Sequence, residues 1–141
     1  MHRVTIKAAE ALLACKKFSL ENTRVTVHER DGETYSEMRL FGNRIARFFP
    51  VDYKLILYDA GLRNATTKDR LNGILAVARL NARIYQQNYE WRYSIAGETY
   101  TWGGFETFTV PAPKPAELAD LAELAERRRE QFFRCKKEES K

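Results

Sequence analysis

The sequence predicts an α+β fold: an antiparallel sheet meander with one packed helix, an N-terminal helix and a C-terminal amphipathic helix. Three observations predict it. Residues 23–58 alternate apolar and polar side chains in short runs broken by turn dipeptides, the period of strands with one buried face. Residues 4–17, 66–80 and 116–135 instead repeat apolar side chains every three to four positions, the period of a helix. The chain's 141 residues, 44% of them hydrophobic, suffice for one core and not for two.

In the first helix, residues 4–17, Ile6, Ala9, Leu12 and Leu13 fall on one face and alanine is abundant. Residues 19–22 break that pattern. In the strand 23–30, Val25 and Val27 point one way and Arg24, Thr26 and His28 the other. Asp31-Gly32 is a hairpin dipeptide. In the strand 34–41, Met38 and Leu40 oppose Tyr35, Glu37, Arg39 and Phe41. Gly42-Asn43 supplies positive φ for a second turn or a bulge. Residues 44–49, ended by Pro50, and residues 53–58 make a third and a fourth strand. After a loop at 59–65, Thr66 begins a helix with Asp69 at capping-box spacing, and Leu71, Ile74, Leu75 and Ala78 form its apolar stripe across the sheet. Residues 83–87, 90–95 and 99–109 read as three more strands, punctuated by Gly97 and Gly103-Gly104.

Residues 1–110 therefore form the α+β domain, and residues 111–115 (PAPKP) a stiff spacer. Residues 116–141 are a C-terminal amphipathic helix and charged tail. Its first half carries Glu117, Asp120, Glu123 and Glu126, and its second half Arg127, Arg128, Arg129 and Arg134, an order that complements a helix dipole. Leucines 118, 121 and 124 also make self-association through residues 116–135 an open expectation.

Several chemistries are excluded. The sequence contains no apolar run long enough to cross a membrane. Two cysteines, Cys15 and Cys135, make neither a disulfide framework nor a zinc site and fit a reducing cytoplasm. Of the two histidines, His2 is terminal and His28 alternates with valines on a strand. H-x-E with C-x-x-C, H-E-x-x-H, G-x-S-x-G and Walker A motifs are all missing. Asp52, Asp59 and Asp69 lack ligand spacing, so neither a metal nor another cofactor is expected, and the chain reads as non-enzymatic.

What the sequence does offer is positive charge and aromatic rings. Lys and Arg number 24 against 19 acids, for a net charge of +5, and every basic residue between positions 24 and 47 is an arginine. Arginine's planar fork suits phosphate and carboxylate, so Arg39, Arg44 and Arg47 are candidate contacts, against the alternative of a merely solvated sheet face. Residues 85–93 (YQQNYEWRY) are the most distinctive segment. On a single strand, Tyr85, Tyr89, Trp91 and Tyr93 share a face. Turned inward they anchor the core; turned outward beside Arg92 they form a stacking platform for unpaired bases or a protein hot spot. The helix start with Lys68 and Arg70 adds donors that suit a phosphate, or else is an ordinary capped helix. The candidate binding residues are therefore Arg39, Arg44, Arg47, Lys68, Arg70, Tyr89, Trp91 and Arg92.

Residues 41–46 (FGNRIA), 59–61 (DAG), 66–75 (TTKDRLNGIL) and 84–91 (IYQQNYEW) together resemble a set of small proteins encoded by bacteriophages and other mobile elements. Those proteins share a G-N-x-I-A turn, an A-G-W loop, a T-T-K-x-R-L-N stretch and an I-x-Q-K aromatic strand. The resemblance spans roughly residues 23–105, with Leu62 in place of the tryptophan and Gln87 in place of the lysine. It implies a phage setting in the host cytoplasm and a compact sheet-plus-helix fold, and no catalytic residues. The expected function is a non-enzymatic accessory protein that binds nucleic acid or a host nucleoprotein complex. The alternative is an inhibitor of host defence, of the anti-CRISPR type, acting by protein contacts.

Overall fold

A computed structural model describes residues 3–111. The order is α1 (Arg3–Ala14), β1 (Phe18–Leu20), β2 (Thr23–Arg30), β3 (Glu33–Leu40), β4 (Asn43–Phe49), β5 (Lys54–Tyr58), α2 (Ala65–Val77), β6 (Ala82–Gln87), β7 (Glu90–Ile95), β8 (Glu98–Thr101) and β9 (Phe105–Thr109). The α+β fold and its meander match the sequence expectation. Two antiparallel sheets result, a six-stranded one in the order β1-β2-β3-β4-β5-β9 and a three-stranded one in the order β6-β7-β8. Residues 112–115 of the spacer and the helix expected at 116–135 fall outside the described residues, as does His2.

Two-residue turns set the register of the hairpins. Asp31-Gly32, Phe41-Gly42, Asn88-Tyr89 and Ala96-Gly97 each place two successive residues at positive φ. That backbone twist matches the twist of the flanking strands and locks the pairing. The second turn is centred on Phe41-Gly42, one residue earlier than Gly42-Asn43, because β4 already starts at Asn43. A Phe takes the left-handed position there with φ 51°.

Both helices end sooner than the apolar spacing suggests. In α1, Cys15 sits at φ 52°, its N–H bonds Leu12 O, and Lys16 N–H bonds Ala11 O. In α2, Arg79 sits at φ 59°, its N–H bonds Ala76 O, and Leu80 N–H bonds Leu75 O. Both are Schellman stops with a side-chain residue where glycine is usual. The start of α2 also differs. Its N-cap is Asn64, whose Oδ1 accepts from Thr67 N–H and from the Thr67 hydroxyl, so no Thr66–Asp69 capping box forms.

One face of the six-stranded sheet carries Val25, Met38, Leu40, Ala46, Phe48, Leu55, Leu57 and Phe108, all buried. The helix lying on it is α1, which packs against β1–β4 through Ala8, Ala9, Ala11 and Leu12. Ile6, expected on that apolar stripe, is 38% exposed, because Thr5 takes the buried position beside α2. The second helix, α2, packs against α1, β4 and β6 rather than across the sheet. Asn72 ties it to β6 by both donating to Ile84 O and accepting from Ile84 N–H, each at 2.8 Å. Residues 99–109 are not one strand. They bend at Trp102-Gly103-Gly104, so that β8 finishes the small sheet and β9 joins β5 in the large one. Trp102 is buried at this bend, and Tyr93 meets Phe108 edge-on between the two sheets.

Candidate functional site

The opposite face of the six-stranded sheet is where the candidate site lies. The cross-strand register arranges its side chains in three parallel rows. The first runs Arg24, Arg39, Arg44 and continues to the partnered Tyr58 and Phe105. The second runs Thr26, Glu37, Arg47, Ile56, Thr107. The third runs His28, Tyr35, Phe49, Lys54, Thr109. Rows two residues apart along a strand lie about 7 Å from one another.

A bulge makes the first two rows possible. Arg44 and Arg47 are three residues apart, and strict alternation would send them to opposite faces. The register shifts between Met38 and Arg39, so that Arg39 faces Arg44 while Met38 faces Ala46. The extra residue, Ile45, turns into the core beside Ala46, both fully buried. Arg44 and Arg47 thereby emerge on the same side.

At the centre of this face, Glu37 has a side chain only 4% exposed. Its two oxygens accept from Arg39 Nε at 3.0 Å and Arg47 Nε at 3.1 Å, and His28 Nε2 lies 3.8 Å away. Burial alone would raise its pKa. The hydrogen bonds from Arg47 and Arg39, with the charges of both, outweigh burial and hold the carboxyl below its ordinary value. Glu37 is therefore an anchor that holds two guanidiniums by their Nε atoms.

Rings and cations interleave around this anchor. His28 stacks on Tyr35 and Tyr35 on Phe49, each pair with centroids 5.2 Å apart. Arg47 lies over the Tyr35 ring at 5.4 Å, Lys54 over Phe49 at 5.6 Å and Arg44 over Tyr58 at 4.6 Å. Tyr58 stacks in turn with Phe105, which is 62% exposed. Contacts of this kind are worth about 0.5–1 kcal/mol each where exposed, enough to orient the cations without hiding them. By register the face also carries Arg30 and Glu33, which pair with each other across β2 and β3. Its cations, three of them in one row, outnumber its carboxylates. Chemically, such an arrangement offers charged donors to an anion and ring faces to a planar group.

Where β3, β4, β5 and β9 meet, the first row opens into a shallow cleft of about 490 Å³ lined by Arg39, Asn43, Arg44, Tyr58, Asp59 and Phe105. Asp59 is buried beneath it. Burial would raise its pKa, but the Gly61 N–H, Arg63 and the Trp102 indole N–H all donate to it and hold it below its ordinary value.

The eight candidate residues from the sequence part company. Arg39, Arg44 and Arg47 come together on this face. Arg70 does not: it is buried, donating to Thr23, Thr5, Asp69 and Asn22, so its guanidinium is consumed inside the fold. Trp91 is also buried, 4% exposed, and takes the inward arrangement of the aromatic segment. Lys68 lies over the Trp91 ring at 5.9 Å. Residues 85–93 form a hairpin rather than one strand, so Tyr85 pairs with Arg92 while Ile84 pairs with Tyr93. Arg92 thus sits on the small sheet, and Tyr89 at its hairpin tip, 96% exposed. The rings of Tyr35, Phe49, Tyr58 and Phe105 were not singled out from the sequence. Their signal was present: Tyr35, Glu37 and Arg39 share a parity, and the Asp31-Gly32 turn aligns them with His28, Thr26 and Arg24.

The profile of one protein family, Kyanoviridae Gp96 protein, matches residues 1–109. No curated protein matches the chain, and no solved structure does.

Proposed function

We propose that this chain, which belongs to the Kyanoviridae Gp96 protein family, is a phage accessory protein that binds an unpaired nucleic-acid strand on the open face of the six-stranded sheet. The strand is either free or part of a host nucleoprotein complex. The chain acts by binding and carries out no turnover. The observation that carries this reading is the interleaving of arginines with stacked rings around Glu37. Guanidiniums held over aromatic rings meet phosphates with a planar fork and bases with a planar face. An unpaired strand supplies both partners, whereas a duplex hides its base faces.

The test is fluorescence anisotropy of the full chain with labelled single-stranded DNA and RNA across a salt series. Binding should weaken steeply as salt rises, with a log–log slope of about −0.7 for each phosphate neutralised on a single strand. The same bases in a duplex should bind more weakly. A flat salt response, or a preference for duplex, would remove the proposal.

A second reading is favoured by Tyr89. Both Asn88 and Tyr89 hold positive φ at the hairpin tip, and the ring is almost wholly exposed. A costly backbone that presents a bare aromatic side chain suits a protein hot spot, and hence an inhibitor of host defence of the anti-CRISPR type. Pull-down from nuclease-treated host lysate separates the two. A partner retained by the wild type and lost with Tyr89→Ser would favour protein contact.

A further inference from the structure

We infer that the cleft at the end of the first row is a nucleotide subsite, taking one phosphate between Arg39 and Arg44 and stacking the attached base on the Phe105–Tyr58 pair. This rests on the proposed binding of nucleic acid and deepens it by naming where one nucleotide unit sits.

The charge of the row is the first argument. Arg24 faces Arg39 and Arg39 faces Arg44, so like charges stand directly opposite one another twice in succession. Such pairs are destabilising in a sheet. Arg39 is relieved by Glu37 at 3.0 Å and donates to Gly42 O. Arg44 is relieved far less. Its nearest carboxylate oxygen, on Glu37, is 4.0 Å away, beyond hydrogen-bond reach. Its guanidinium carbon lies over the Tyr58 ring, 4.6 Å from the centroid. A guanidinium fork held over a ring, 38% exposed and with donors left over among the described residues, is what a phosphate oxygen pair requires.

The acid under the cleft does not cancel this. Asp59 is occupied by Gly61, Arg63 and Trp102, and its charge is matched by Arg63 at 3.0 Å. Its task is to hold the floor. Gly104, at φ +101°, passes close above it, where an added Cβ would touch the Asp59 carboxylate at 3.9 Å. That backbone path delivers Phe105 to the rim of the cleft, ring outward and stacked with Tyr58 at 6.3 Å. A cation pair, an exposed ring and a cleft of about 490 Å³ match one nucleoside monophosphate in charge, shape and size. That unit can come from a strand or from the free nucleotide.

The experiment titrates the full chain with AMP, adenosine, inorganic phosphate and a single-stranded oligonucleotide, reading binding calorimetry and amide shifts. AMP should bind about tenfold more tightly than either adenosine or phosphate. Phe105→Ala, a truncation of an exposed ring, should weaken AMP about tenfold and leave phosphate unchanged. Arg44→Gln should weaken AMP and phosphate alike. AMP no tighter than phosphate, or indifferent to both variants, would overturn the subsite. If the oligonucleotide still binds in that case, the open-face reading survives without the cleft. If AMP behaves as stated and the oligonucleotide does not bind, the subsite stands as a site for the free nucleotide and the strand reading falls.

Discussion

Arg70 and Arg44 bring the same guanidinium into opposite surroundings. Arg70 lies inside the junction of α1, β2 and α2, its side chain 5% exposed, and donates to Thr5, Thr23, Asn22 and Asp69. Arg44 lies on the open face, 38% exposed, held over a ring and facing another arginine. In the first region every guanidinium nitrogen has an acceptor, and the charge fastens three elements together. In the second the charge exceeds what the described residues neutralise. An arginine whose nitrogens are satisfied from within belongs to the architecture; one left short of acceptors among the described residues is free to meet a ligand. Glu37 stands between these cases, buried like Arg70 yet placed at the centre of the exposed cluster.

The largest effect that sharpens this contrast is Arg70→Met. Removing one member of a buried charged network should cost about 3 kcal/mol of unfolding free energy in urea, with nucleic-acid affinity of the folded fraction unchanged. If Arg44→Ala cost more stability than Arg70→Met, the comparison would be inverted.

Glu37→Gln comes next. Losing charged hydrogen bonds to Arg39 and Arg47 should destabilise by about 1–2 kcal/mol, while binding of a single strand tightens by roughly threefold at low salt because a buried negative charge is gone. Weaker binding would mean that Glu37 contributes to the ligand rather than to the arginines alone.

Acid pH probes the same anchor without mutation. The folded pKa of Glu37 lies below its ordinary 4.5 and that of Asp59 below its ordinary 3.8. A lowered folded pKa means stability that is fully present above the ordinary value and is lost as pH falls through it toward the folded one. Urea midpoints should hold steady down to about pH 5 and then decline, and Glu37→Gln should flatten part of that decline. The smallest effect on stability belongs to Arg44→Ala, which should stay within about 0.5 kcal/mol of wild type because the residue is exposed and opposes a like charge. Its salt slope for a single strand should fall by about 0.7.

How far the sequence was legible follows from how local each signal is. Strands β2 and β3 were legible because alternation and a two-residue turn act within a few neighbours, and β4 and β5 because Gly42 and Pro50 bound short apolar runs. Strand β1 was not, since Phe18–Leu20 is too short to alternate. The helix ends were misplaced because Cys15 and Arg79 take the left-handed stop in place of glycine. Within the candidate site, the three arginines of β3 and β4 stood out by composition, while Trp91 and Arg70 stood out equally and went inside. Chemical character alone does not say which polar or aromatic group the core will claim.

Taken alone, the sequence determined the type of most elements, the parity of side chains along β2 and β3, and the excess of arginine, because periodicity and composition are carried by adjacent residues. Tertiary structure alone decided three further things. It set β9 beside β5, laid α1 on the Val25–Met38 face so that no described helix covers the opposite one, and used the bulge at Ile45 to bring Arg44 and Arg47 to one side. Each depends on pairing between residues distant in the chain, whose free energy comes from shared burial and cross-strand register.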